Sequence, residues 1–163
     1  MGTQTLAAPA QGTRDFLKRL AVLGALSLTI ASGMERVVLA HGKSVPYTVF
    51  WKLPRSVPVK GDYVMLELSH PIFGPHPAKV TKQLVCDSGE RLQRKGEAFY
   101  CNDVWLGGFI TRTGGDQPVT PLAYDGQIPE GQAFIMGSHP RSYDSRYFGL
   151  VDKSRLVRLK EVV

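Results

Sequence analysis

The chain has 163 residues, enough for one domain with a short extension and for a hydrophobic core that needs no staples. Lys and Arg number 20 against 14 Asp and Glu, a net charge of +6. These basic residues are scattered, with no aromatic-basic stripe, so only bulk charge speaks for a nucleic-acid partner, and an anionic membrane surface accounts for it equally well. With 17 Gly and 11 Pro among many short β-branched and aromatic runs, the expected class is mainly β, with many turns. Neither a P-loop nor a dinucleotide fingerprint occurs.

Residues 1–13 are small and polar and read as a disordered tail. Residues 14–40 begin with Arg14, Lys18 and Arg19, followed by 15 residues, 20–34, without a charge. A full membrane span wants about 20 apolar residues, and a cleaved signal peptide has an apolar region of about 7–15. Three readings compete: a cleaved signal peptide, an uncleaved signal anchor, and a core helix. Both membrane readings leave the basic end in the cytoplasm and residues 41–163 outside. Pro46 bars a helix through Val45, so Ser44 sits on an extended or turning segment, where an ordinary surface serine is the plainer reading. His41, three residues earlier, reaches Ser44 only in a tight turn.

Farther along, the turn at Gly61-Asp62 leads into a strand. His70 and His76 lie in a Pro-rich loop with no acidic or Cys neighbour, which reads as surface loop and not as a metal site. The alternation around Lys82 predicts a strand with Lys82 on one face. Cys86 and Cys101 flank a hairpin with its turn near Lys95-Gly96, and in an exported domain they are expected to form a disulfide across it. The apolar runs 133–136 and 148–151 read as buried strands, and the polar stretch between them reads as a loop held by a rigid sheet. In that loop Asp144 and Arg146 are spaced to pair with each other or with the backbone.

Three stretches together resemble type I signal peptidases, and most closely the conjugative-transfer branch that matures pilin subunits. Ser44-Val45-Pro46 matches the family's Ser-x-Pro nucleophile element, although Thr48 stands where that branch usually has Gly. Lys82, with Leu84-Val85 and Gly89, matches the box that carries the general base. The stretch from Gly137 through Ser142, Asp144, Ser145 and Arg146 matches the last box, one residue shorter than usual. The resemblance implies a signal-peptidase-like β-domain of twisted antiparallel sheets after an N-terminal membrane anchor helix. It also implies a periplasmic catalytic domain on the bacterial inner membrane and no cofactor or metal. The implied partners are a precursor protein or pilin with small residues before the cleavage site, the inner membrane, and other proteins of the conjugation apparatus, with no nucleic acid.

The implied chemistry is a Ser-Lys dyad. A serine hydroxyl needs a base, and lysine becomes one near neutral pH only when burial disfavours its ammonium form. The resemblance assigns Ser44 as nucleophile, Lys82 as base and Ser142 as the hydroxyl orienting the amine, with Asp144 and Arg146 bracing the loop. The oxyanion site falls to the Ser44 backbone N–H and the Gly42 region, where many relatives carry a hydroxyl that Gly42 lacks. Losing one such donor costs about 10²–10³ in rate. The alternative is an inactive relative serving as a structural or assembly part of a conjugative secretion system.

Overall fold

The computed structural model describes residues 11–41, 44–112 and 116–162. The chain divides into two compact units, Met1–Arg36 and Val37–Val163. Within the first, helix α1 covers Gln11–Met34 and so begins inside the stretch expected to be tail. Its Phe16, Leu17, Leu20, Val22, Leu23 and Leu26 are exposed. At 1.5 Å per residue the uncharged stretch 20–34 is roughly 22 Å long, against a hydrocarbon core of about 30 Å. Among the described residues no helix is long and apolar enough to cross a membrane.

The second unit is built of antiparallel sheets. Its strands are β1 (Val37–Leu39), β2 (Val49–Lys52), β3 (Tyr63–Leu68), β4 (Ala78–Cys86), β5 (Arg91–Lys95), β6 (Ala98–Cys101), β7 (Val104–Gly108), β8 (Asp125–Gln127), β9 (Gln132–Met136), β10 (Val151–Asp152) and β11 (Val157–Glu161). Seven of them form one sheet in the order β1-β2-β11-β3-β4-β9-β10, and the other four form a second sheet in the order β7-β6-β5-β8. The mainly β class read from composition is the one observed. The last strand, β11, inserts between β2 and β3.

Strand alternation sends neighbouring residues of one strand to opposite faces, and two cores result. Val64, Leu66, Leu84, Ala133 and Ile135 pack on one face of the large sheet. Phe134 and Met136 point the other way and join Leu92, Phe99 and Cys101 of the small sheet. Leu84 and Cys86 would share a face in a regular strand, but the ladder with β9 shifts register between them. Such a bulge re-aims the strand end, and Cys86 lies in the second core. A third cluster, Val45, Phe50 and Leu159, buries the residue that follows Ser44 and pins that segment to the sheet.

Cys86 and Cys101 are joined by a disulfide, which ties the end of β4 to the end of β6 and so links the two sheets. The β5–β6 hairpin turns at Gly96, whose φ of 58° falls in the left-handed region. One expected strand is not there. Residues 148–151 read as a strand, yet Ser145–Phe148 form one turn of helix, α2, and strand pairing is confined to Val151–Asp152. The reason is local: the Asp144 carboxylate caps the turn by accepting the Arg146 backbone N–H, which satisfies a donor that a helix start leaves open.

The disulfide closes a loop with a sequence separation of 15. Replacing both Cys86 and Cys101 with Ser is expected to cost about 3 kcal/mol of unfolding free energy. Urea titration checks this, by a lowered midpoint relative to the disulfide-bonded chain.

Candidate functional site

Strand β4 is the element that positions the site. Along its length β3 pairs with Ala78 to Gln83 on one side. On the other side β9 pairs only with the stretch from Gln83 to Cys86. Among the described residues no strand covers the remaining half on that side, so the edge through Ala78 and Lys82 borders a groove of about 530 Å³. Ser44, Val45, Arg141 and Ser142 line the same groove.

Lys82 leaves this edge and is buried, with 4% of its surface exposed. Its Nζ donates to Ser142 Oγ at 2.8 Å. The Ser142 hydroxyl in turn donates to Ser44 Oγ at 3.3 Å. Three side chains from distant parts of the chain thus meet at one hydroxyl, 60 residues from Lys82 and 98 from Ser44. Burial lowers the Lys82 pKa from 10.5 to about 8, because an ammonium loses its hydration there; the nearby Asp144 carboxylate raises it and the Arg146 guanidinium lowers it further.

The loop that carries Ser142 is braced from below. Asp144 and Arg146 are both buried. They form a two-point pair, Arg146 Nε to Asp144 Oδ1 at 2.8 Å and Nη2 to Oδ2 at 2.7 Å. The remaining guanidinium protons go to carbonyls: Nη1 donates to Gly108 O at 2.6 Å, and Nη2 to His139 O and Ser142 O, both at 3.2 Å. Asp144 Oδ2 also accepts the Gly137 N–H at 2.9 Å. A buried ion pair is stable only when its spare donors and acceptors are filled, and here they are filled by the loop it shapes. Ser145 adds its hydroxyl as acceptor for the Ile135 N–H at 3.1 Å, which fastens the loop to β9.

Further residues hold these segments together. Ser138 donates its N–H to the Ser44 carbonyl at 2.8 Å and its hydroxyl to the same oxygen at 3.3 Å, holding the two segments side by side. Gly137, the first residue of the last box, lies beside the Ser44 carbonyl as well. A Cβ there would overlap the Ser142 hydroxyl and lie 2.9 Å from the Ser44 carbonyl, so only glycine fits. A glycine between a buried strand and a hydroxyl-rich loop was the available signal. His70, read as surface loop, contacts the Tyr143 hydroxyl through Nε2 at 2.9 Å, beside Ser142. His41 lines the groove but is exposed, and among the described residues no hydrogen bond joins it to Ser44. Gly42 lies outside the described residues. Cys86, Glu90 and Cys101 sit within metal-ligand reach of one another, but both sulfurs are taken up by the disulfide.

The model of the family described as "Signal peptidase, peptidase S26" matches residues 16–163. The chain belongs to the S26 signal peptidases. These are serine peptidases that act on precursor proteins, and the match spans all three stretches that carry the resemblance. A solved signal peptidase I from Enterococcus faecalis is 24% identical, with a TM-score of 0.40, over 66% of this chain and 97% of that one. No curated protein matches the chain.

The Lys82 shift has a consequence for stability. Its folded value, about 8, lies below the ordinary 10.5, so below pH 8 both folded and unfolded states hold the proton and the fold bears the full cost of a buried ammonium. Between pH 8 and 10.5 the unfolded state binds more protons, and stability rises with pH. Lys82→Met is therefore expected to stabilise the protein at pH 7 by up to about 3 kcal/mol, a gain that shrinks as pH rises toward 10.5. Urea midpoints of both proteins across that pH range provide the check.

Proposed function

We propose that this signal peptidase cleaves a leader from a precursor protein with Ser44 as nucleophile and Lys82 as base. The observation that carries the reading is the Ser142 hydroxyl, 2.8 Å from Lys82 Nζ and 3.3 Å from Ser44 Oγ. With Lys82 neutral, Ser44 Oγ attacks the scissile carbonyl and its proton passes to the amine, directly or through the Ser142 hydroxyl that touches both. The Ser44 backbone N–H is the oxyanion donor closest at hand. Collapse of the tetrahedral species breaks the C–N bond, Lys82 returns the proton to the departing amine, and the acyl-enzyme remains. Water then attacks the ester. Where the cleaved bond lies at the C-terminal end of the pilin, so that the pilin itself is the acyl fragment, attack by its own N-terminal amine gives a cyclic peptide in place of the acid.

The substrate we assign is a conjugative pilin, with small residues before the cleaved bond. The likeness of the nucleophile, base and final boxes to the pilin-maturing branch supports this. We place the catalytic unit on the periplasmic face of the inner membrane, with the helix ahead of it as anchor; the boundary falls at Val37 and not at residue 41, since Val37–Leu39 pair with β2 in the sheet. Two features favour that side: the disulfide, of a kind formed in oxidising compartments, and the Lys18-Arg19 pair within α1 ahead of its uncharged stretch 20–34.

Cleavage of a pilin precursor, followed by mass spectrometry, tests the assignment. Wild type converts the precursor, whereas Ser44→Ala and Lys82→Ala leave it uncut, and conversion by either variant rejects the dyad. In wild type, kcat/KM is expected to climb about tenfold per pH unit at low pH and to level off above the Lys82 value of about 8, since only the neutral amine accepts the proton. A profile that falls as pH rises through that value contradicts Lys82 as base. Gly137→Ala, which pushes on the Ser142 hydroxyl, is expected to lower kcat by at least about 10²-fold in the same assay.

A further inference from the structure

We propose that the groove beside Ser44 selects precursors with an acidic side chain within about four residues of the cleaved bond, received by Lys79 and Arg141. This rests on the peptidase reading above and adds a substrate class to it. The groove is lined by Lys52, Lys79, Lys82 and Arg141 together with His41, and none of its described lining residues is acidic. In a chain with 14 Asp and Glu, that one-sided composition makes the groove a positive field whose low-dielectric walls focus it on an incoming segment.

Lys82 is buried and engaged by Ser142, so it is not the receptor for a substrate charge. Lys79 and Arg141 are exposed. Among the described residues neither of their charged groups holds an ion pair. Glu67 faces Lys79 across the β3–β4 ladder, but it does not line the groove. The two cations stand on different walls, Lys79 on the edge of β4 and Arg141 directly before Ser142 in the braced loop.

Register gives the spacing. An extended segment laid along the uncovered edge of β4 advances about 3.3 Å per residue, in step with the strand. Lys79 lies three residues before Lys82 and so leaves β4 on the opposite face, the one it shares with Glu67; a side chain of the added segment that points to that face, three or four residues from the attacked carbonyl, comes level with it. Arg141, adjacent to Ser142, reaches a position nearer the bond. A carboxylate at either place meets a cation that holds no ion pair, a segment acidic at both places meets two, and a lysine there meets like charge. Opposite charges in a partly dried groove gain binding, and like charges are excluded.

The test uses the full chain and a set of peptides with small residues before the cleaved bond, each carrying Asp, Ala or Lys in turn at the four positions on either side. The expected result is a kcat/KM at least about fivefold higher for Asp than for Ala at one or two positions, and lower still for Lys. That ratio is expected to shrink in 0.5 M salt, where the Debye length is only about 4 Å. Lys79→Glu and, separately, Arg141→Glu are expected to invert the ratio at their own positions, toward Lys. Cleavage that depends on Ser44 but is indifferent to substrate charge overturns this inference and leaves the peptidase reading standing. Cleavage that survives Ser44→Ala overturns the reading beneath it. If charge in the peptide has no effect, while vesicles containing phosphatidylglycerol accelerate cleavage and Lys79→Glu abolishes the acceleration, the basic walls meet lipid, and the proposal fails.

Discussion

The site depends on one unfavourable fact, the burial of the Lys82 amine against a hydroxyl. An ammonium in that position lacks the water that would hold its proton, which is why its pKa falls to about 8. The rest of the neighbourhood makes the arrangement sustainable. The apolar positions Val64, Leu66 and Leu84 form the core on the Lys82 face of the sheet and keep the strand in place. Ser142 supplies the partner hydroxyl, and the Asp144–Arg146 pair fixes the loop that delivers it. Stability is given up at a functional position and recovered in the cores, the disulfide and the filled ion pair.

The Asp144–Arg146 pair acts on the site without touching Ser44. Its carboxylate holds the Gly137 N–H, caps α2 and orients Arg146, while the guanidinium gathers the carbonyls of Gly108, His139 and Ser142. One buried pair therefore joins three segments: the end of β7, the start of the loop after β9, and the residue that faces Lys82. Ser138 then extends the arrangement to the Ser44 segment through the Ser44 carbonyl. A loop tied at so many points keeps its hydroxyl in one place, and placement to a fraction of an ångström is what the proposed proton transfer requires.

Much of this was legible in the sequence because it is local. The alternation around Lys82, the Gly-Pro punctuation and the hairpin between Cys86 and Cys101 each follow from short-range rules, and the mainly β class follows from them together. Ser44, Lys82 and Ser142 look ordinary on spacing alone, so only the resemblance singled them out, and the structure brings the three side chains together. What could not be read was set by distant contacts. The insertion of β11 between β2 and β3 leaves no trace in a residue pattern, nor does the half of β4 that β9 fails to cover. Residues 148–151 looked like a strand because they are apolar, yet the Asp144 side chain turned their first residue into helix. His70 reads as loop surface because its partner, Tyr143, lies 73 residues away.

The central claim is that Lys82 is a buried amine held ready to take a proton. It is tested most directly by following the Lys82 ¹³Cε resonance through a pH titration of the lysine-labelled full chain, with Lys82→Arg to assign the signal. The account predicts a midpoint near the value of about 8, set well apart from the exposed lysines. A midpoint at the ordinary lysine value of 10.5 would contradict it, since the amine would then stay charged where the proposed dyad needs it as a base.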